Sequence, residues 1–555
     1  MASAQHTFDL AILGGKIYDP VHGVDGRVGD LWVRSGVVVD APRDPHVRAA
    51  RSIDARGLIV MPGGVDIHCH IAGSKVNLAR KVQPEQARRG GPVRRSGHMR
   101  SGATGIVPTT FVTGYRYAGL GYTTAFDAAI QPLAARHVHQ EFADTPCIDK
   151  GFFALVGNSH FLLESIQSGE HERARAFLGW LLQATKAYGV KLVNPGGIEM
   201  WKQLQAGNIA DLDETIGHFD VSPRQIIRTV AAIVDELRLP HPIHLHCNHL
   251  GIPGNWKTTL ASMQALEGHR AHLAHIQFHS YGGDDEASLH SQAPTLAEYV
   301  NSHPNLSLDV GQVLFGPTTT MTGDGPVGYL LHQIYGGKWY SADIEQESGC
   351  GVVPIQYKRQ SLIHGWQWAI GLEWHLLVAN PWQIAMSTDH PNGGSFMAYP
   401  EIIRLLMDRD YRRDRMREVH HEIQAASVLR ELDREYSLYE ICIITRAAPA
   451  RMLGLTTKGH LGTGADADIT VYDPSADVAQ MFSIPKYVLK SGHIVIEDGE
   501  LREPPSGDTL HVVPTYDRSI EPHLSSWFDK HYSVRFRNYS IDDDEVDRLR
   551  RCECV

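Results

Sequence analysis

A chain of 555 residues, 43% hydrophobic and 21% charged, can bury one large core and a smaller domain beside it. Its net charge of -11 and pI near 6.3 argue against nucleic-acid binding as a general function. There is no secretion-signal pattern at the N-terminus and no apolar run long enough to span a bilayer. Seven cysteines make no disulfide framework, so the expected compartment is the cytoplasm.

In chain order, residues 10–13, 16–18, 30–33, 37–39 and 57–60 are short apolar segments separated by turn residues, and they predict strands. A similar series returns at 468–472, 487–490 and 493–496. The two ends of the chain, 1–60 and 451–510, are therefore expected to build one small β-sandwich domain around a long insertion. Within that insertion, 61–450, strands alternate with amphipathic helices. Helical spacing runs over 172–188, and again from Ser222 and Pro223 to about Pro240. Strands are predicted at 190–193, 243–246, 272–276, 306–310 and 384–387. Repeated β–α units of this size predict a parallel (β/α)8 barrel of the TIM type. An open doubly wound sheet is the alternative, but no glycine-rich dinucleotide or phosphate-loop motif supports it.

Residues 80–100 are locally basic, with Arg80, Lys81, Arg88, Arg89, Arg94, Arg95 and Arg100 against Glu85. Pro84, Pro92 and several glycines are expected to break any helix there, leaving a solvated loop or an anion-binding segment. The segment 511–555 carries Trp527, Phe528, Tyr532, Phe536 and Tyr539, as expected of a tail that docks on the body or on a partner. Its last residues, 542–555, have the composition of a disordered end.

The densest chemical signal is Met61-Pro-Gly-Gly-Val-Asp-Ile-His-Cys-His70. In an extended chain, residues i and i+2 point to one side, so His68 and His70 project together while Cys69 points away. Spacing alone is weak evidence: with 32 histidines, about two His-x-His pairs arise by chance, and three occur. His137 and His139 fall in a polar helical stretch, where i and i+2 share no face, and are expected at the surface. His68 and His70 differ because an apolar strand and a glycine bend precede them. Other strand ends carry candidates of the same kind. Lys191 interrupts an apolar strand, His246 competes with His244 on one face, His275 falls near the end of the 272–276 strand, and Asp389 ends the apolar stretch 384–389 before Pro391-Asn-Gly-Gly394. A lysine lining a barrel is costly unless paired or modified.

This pattern resembles the amidohydrolase superfamily. His-x-His falls on strand one, lysine on four, histidines on five and six, and aspartate on eight, with Ala447–Leu455 and Gly464-Ala-Asp-Ala-Asp-Ile469 as closing signatures. Finer motifs are Pro62–Lys75, Val193-Asn-Pro-Gly-Gly197, His246–Asn255, His275-Ile-Gln-Phe-His-Ser-Tyr-Gly282 and Ser387–Gly394. They resemble the A subunits of formylmethanofuran dehydrogenase and of the bacterial formyltransferase/hydrolase complex. His249 departs from the asparagine expected after Asn248, and leaves the candidate ligands untouched.

The resemblance implies two zinc ions held by His68, His70, His246, His275 and Asp389 and bridged by a carboxylated Lys191. Asp389 would also carry the proton to the leaving amine. It further implies an N-formyl furfurylamine C1 carrier, of the methanofuran or methylofuran type, hydrolysed to formate inside a hetero-oligomeric complex. Asn194, Asn248 and Gln277 would contact substrate, and Arg88, Arg89, Arg94 and Arg95 would guide an anionic carrier tail. The glycine-rich segment 311–326 is expected to be a substrate lid. Alternatives are the archaeal direction, condensing formate with the carrier, a cyclic amidase of the hydantoinase or dihydroorotase kind, and a non-catalytic scaffold protein within a larger complex.

Overall fold

The structure, a computed structural model, describes residues 8–44, 46–90, 92–93, 100–204, 209–341, 351–502 and 504–554. Eight parallel strands run in chain order around a barrel: Gly64–Cys69, Tyr122–Ile130, Asp149–Leu155, Gly189–Val193, Ile243–His246, Ala271–Leu273, Leu306–Asp309 and Ile384–Ala385. Strand one meets the segment after strand eight through the Cys69–His390 bridge, where the His70 amide donates to the His390 carbonyl at 2.7 Å. Each residue of the first five strands is buried, which explains their near-continuous apolar reading. Helices pack outside. The helix Pro223–Glu236 opens as its sequence predicts, with Ser222 and Gln225 forming a reciprocal capping box and Pro223 in the first turn.

The chain ends interleave in a nine-stranded sheet. Phe8–Asp19 pairs antiparallel with Val24–Arg34. On its other edge it pairs parallel, first with Ala49–Asp54 and then with Ile59–Pro62. Ile59–Pro62 then pairs antiparallel with Ile469–Tyr472, which joins the two ends of the chain. Two partners along one edge bend the sheet over its own core of Leu10, Ile12, Val33, Val60, Ile469 and Leu489. Buried Arg446 pins this domain to the barrel, donating to the Pro62 carbonyl at 2.9 Å and to the Tyr472 hydroxyl at 2.6 Å. Gly63 sits at that junction because a Cβ there would lie 2.2 Å from Thr123 Oγ1.

Four expectations need correction or refinement. Pro84 does not break the basic segment: it starts the helix Pro84–Gly90, directly after Ser74–Val82, because a first-turn proline needs no amide donor. The segment 542–554 is built into the fold rather than loose. Leu549–Cys552 forms a strand parallel to Thr509–Val512, held by Arg550 against Asp466 at 2.8 Å. The aromatic tail docks on the body, with Phe536 stacked on Trp180 at 4.7 Å and Trp527 donating to Glu164. Finally, His139 is buried on the helix Ala135–Ala143, its Nε2 2.9 Å from the Thr185 carbonyl, and burial pulls its pKa down to about 4. Only His137 of that pair is exposed. No helix among the described residues is long and apolar enough to cross a membrane.

Candidate metal centre

His68, His70, Lys191, His246, His275 and Asp389 all line one cavity of about 400 Å³ at the C-terminal mouth of the barrel. Each belongs to a different strand or the turn after it except the first pair, and each is nearly fully buried. Two are held in the left-handed region, His275 at φ 34° and Asp389 at φ 50°, a strained backbone that persists where surroundings impose it. Gly311 (φ 66°) shows why the fit is tight: a Cβ there would lie 2.5 Å from His275 Cβ and 3.6 Å from Asp389 Cβ. Gly311→Ala should therefore displace His275. The expected result is a folded chain with reduced metal content by elemental analysis; unchanged metal content would show that the loop yields instead.

One half of the centre is a convergence of acceptors. His68 Nε2 and His70 Nε2 lie 3.1 and 2.9 Å from the same Asp389 oxygen. Behind them, His68 Nδ1 sits 2.8 Å from Asp309 and His70 Nδ1 3.4 Å from Asp127. A carboxylate behind each ring fixes the proton on Nδ1 and leaves the Nε2 lone pair facing inward. Two lone pairs and a carboxylate oxygen aimed at one point fit a cation. Burial alone would raise the Asp389 carboxyl, but the facing His68 and His275 hold it well below the usual carboxylate range. Burial likewise opposes a proton on His68, yet Asp309 and Asp389 outweigh it and raise that imidazole.

The other half holds His246 and His275, with Nδ1 of the first 3.1 Å from Nε2 of the second. Burial pushes both far below the ordinary histidine range, so both are neutral and available as ligands. Lys191 Nζ and His275 Nδ1 are buried polar atoms without a hydrogen-bond partner among the described residues. Orphaned atoms of this kind cost about 1–3 kcal/mol each, and a metal with a modified lysine would use such atoms. These residues thus fit a two-metal centre.

The choice between His244 and His246 follows from the strand. His244 lies one layer below, bonded through Nδ1 to His241 and through Nε2 to His68 Nδ1, both at 3.1 Å, and it does not line the cavity. Asn194, Asn248 and Gln277 also stand behind the wall rather than on it. Asn194 donates to Asp324 at 3.1 Å, Asn248 to Asn194 at 2.8 Å, and Gln277 to the Gly311 carbonyl at 3.3 Å. Arg88 is exposed and does not line the cavity; the side chains of Arg89, Arg94 and Arg95 lie outside the described residues. Sequence reasoning missed Asp127, Asp309 and Asp324. The first two end, or lie within, buried strands, where an isolated carboxylate is the available signal.

The 311–326 segment is more regular than its glycines suggest. Gly316–Thr322 pairs antiparallel with Gly351–Tyr357, and the helix Gly325–Tyr335 follows it. This flap supplies Val327, Leu330, Leu331 and Ile334 to the cavity, facing Leu250, Phe278 and Ile363. Asp324 at its start lies 3.3 Å from His246 Nε2, and burial raises its carboxyl to about 6. The outer cavity is therefore apolar, with Asp285 and Glu286 among its lining residues.

Fold and site together are those of a hydrolase of the barrel class, with candidate metal ligands gathered at one mouth of the barrel. The chain belongs to the amidohydrolase family, which it matches over residues 51–496. It is 42% identical to the protein FwdA of Methanocaldococcus jannaschii, covering 98% of both chains. It is 38% identical to the A subunit of the formyltransferase/hydrolase complex Fhc of Methylorubrum extorquens, covering 96% of both. It also superposes with a TM-score of 0.93 on a crystal structure of that complex with methylofuran, at 35% identity, covering 98% of this chain and 100% of the matched one.

Proposed function

We propose that this chain is the A subunit of a formyltransferase/hydrolase complex, and that it hydrolyses the formyl group of an N-formyl furfurylamine carrier of the methylofuran type to formate. The reading is carried by the full-length similarity to a protein solved in a complex with methylofuran, together with a complete set of candidate ligands in one cavity. His68, His70 and Asp389 would hold one zinc, His246 and His275 the other, with carboxylated Lys191 between. Bound there, zinc would supply Lewis acidity for the formyl carbonyl and would make water acidic enough to lose a proton near neutral pH. Asp389, already ionised, would take a proton from the attacking water and deliver it to the departing amine nitrogen. The apolar flap and Phe278 receive the flat carrier head and exclude bulk water. The complex purified with its partner proteins should release formate from the N-formyl carrier. Formate release absent from a zinc-replete complex would overturn the reading.

The basic run is proposed to guide the carrier's anionic tail. The helix Pro84–Gly90 sits beside the flap, where Lys338 reaches Glu85 at 3.4 Å and the Val82 carbonyl at 2.8 Å. Reversing Arg88 and Arg89 to glutamate should raise KM for the full carrier, more so at low salt, because exposed charges are screened beyond about 10 Å at 0.1 M. A tail-free formamide should be spared. Equal loss on both substrates removes the run from recognition.

A further inference from the structure

The geometry points to a fifth histidine in this centre: His279 as a ligand of the metal that His246 and His275 hold. The inference rests on the two-metal reading of the site, and goes beyond it in adding a residue that lies outside the cavity lining.

His279 closes the single 3-10 turn Ile276–His279 that begins right after His275. His275 enters the turn in a left-handed conformation and His279 ends it, which brings their ring centroids to 5.3 Å. His279 is fully buried, and neither ring nitrogen has a hydrogen-bond partner among the described residues. The histidines of the barrel floor are different. His241, His244 and His272 each engage both nitrogens, with Met452, His68, Ser307 and Asp309 among their partners. Two orphan nitrogens in a buried ring are a cost that a ligand would remove.

Distance supports the same assignment. One ligand atom from each of His246, His275 and His279 lies within 4.8 Å of the other two. Their ring centroids are 4.6, 5.2 and 5.3 Å apart. Imidazoles that share a tetrahedral zinc through bonds of about 2.0–2.1 Å hold their centroids about 5 Å apart. The turn itself is braced, since Thr259 donates to the His279 carbonyl and Ser280 to that of Ile276, both at 2.7 Å. The centre would then be asymmetric, with one ion among three neutral imidazoles and the other beside the Asp389 carboxylate.

His375 provides the control. It too is fully buried with both nitrogens unpartnered, yet it belongs to no cluster of ligand atoms among the described residues. Zinc titration of the metal-stripped chain within its complex should give two tight sites in the wild type and in His375→Gln. His279→Gln should keep one and lose about tenfold or more in affinity for the second. An anomalous-scattering crystal structure of the zinc-loaded wild type should place a His279 nitrogen about 2.0–2.1 Å from an ion. Two zincs at wild-type affinity in a folded His279→Gln, or an ion on His246 and His275 with the His279 ring turned away, overturns the assignment. A wild type that binds both zincs but releases no formate overturns the proposed activity and leaves His279 standing.

Discussion

Asp389→Asn is expected to fold, to keep most of its metal and to lose about 10²–10⁴-fold in kcat, the usual contribution of a positioned proton carrier. The amide keeps the size of the carboxylate and one oxygen to face His68 and His70, now 2.9–3.1 Å away. What it loses is basicity. The carboxyl of Asp389 is held well below its usual range by His68 and His275 despite burial, so it is ionised throughout the neutral range and ready to take a proton. Among the described residues no other carboxylate lines the inner wall. Asp285 and Glu286 line the same cavity from exposed positions, and Asp309 is committed to His68, His272 and Ser387. Elemental analysis and circular dichroism should show a loaded, folded protein, while formate release from the formyl carrier falls. Near-normal turnover in such a protein would remove Asp389 from proton transfer and leave it only a ligand.

The positions of the six inner residues are legible in the sequence because each lies within or shortly after an apolar strand as a residue that cannot stay there cheaply. Lys191 within Gly189–Val193 and Asp389 after Ile384–Ala385 are polar interruptions, and burial makes such interruptions conspicuous. The barrel follows from the same strands, since the first five are fully buried and read as runs rather than alternations. What escapes has a common cause as well. Asp127 and Asp309 act through a histidine 57 or 241 residues away in sequence, so no local pattern announces them. Asn194, Asn248 and Gln277 sit in specific motifs, yet their amides are spent on Asp324, on Asn194 and on backbone carbonyls, a network visible only once three strand ends meet. Pro84 misleads because proline breaks a helix interior but starts a helix at its first turn.

Lys191→Ala should lose metal, and short carboxylic acids such as acetate or propionate should restore part of it. The lysine is 1% exposed, and its amine has no hydrogen-bond partner among the described residues. Three other buried lysines are served: Lys150 donates to the Thr145 and Gly507 carbonyls, and Lys458 and Lys490 share Asp149 and Asp468. Burial pulls Lys191 down to about 7, so a large fraction is neutral amine at physiological pH. A neutral amine attacks carbon dioxide; a C–N bond forms, one proton leaves, and an anionic carbamate with two oxygens replaces a costly buried cation. The sign for pH follows. Below about 7 the amine is increasingly protonated and unreactive, so reloading of stripped protein by zinc with bicarbonate should slow about tenfold for each further pH unit. In Lys191→Ala the space left by the side chain admits a small acid whose oxygens replace those of the carbamate, and the pH dependence of reloading should vanish with the amine. Loading of Lys191→Ala at wild-type metal content without any added acid, or a zinc-loaded crystal structure with a bare amine between both ions, would refute the bridge.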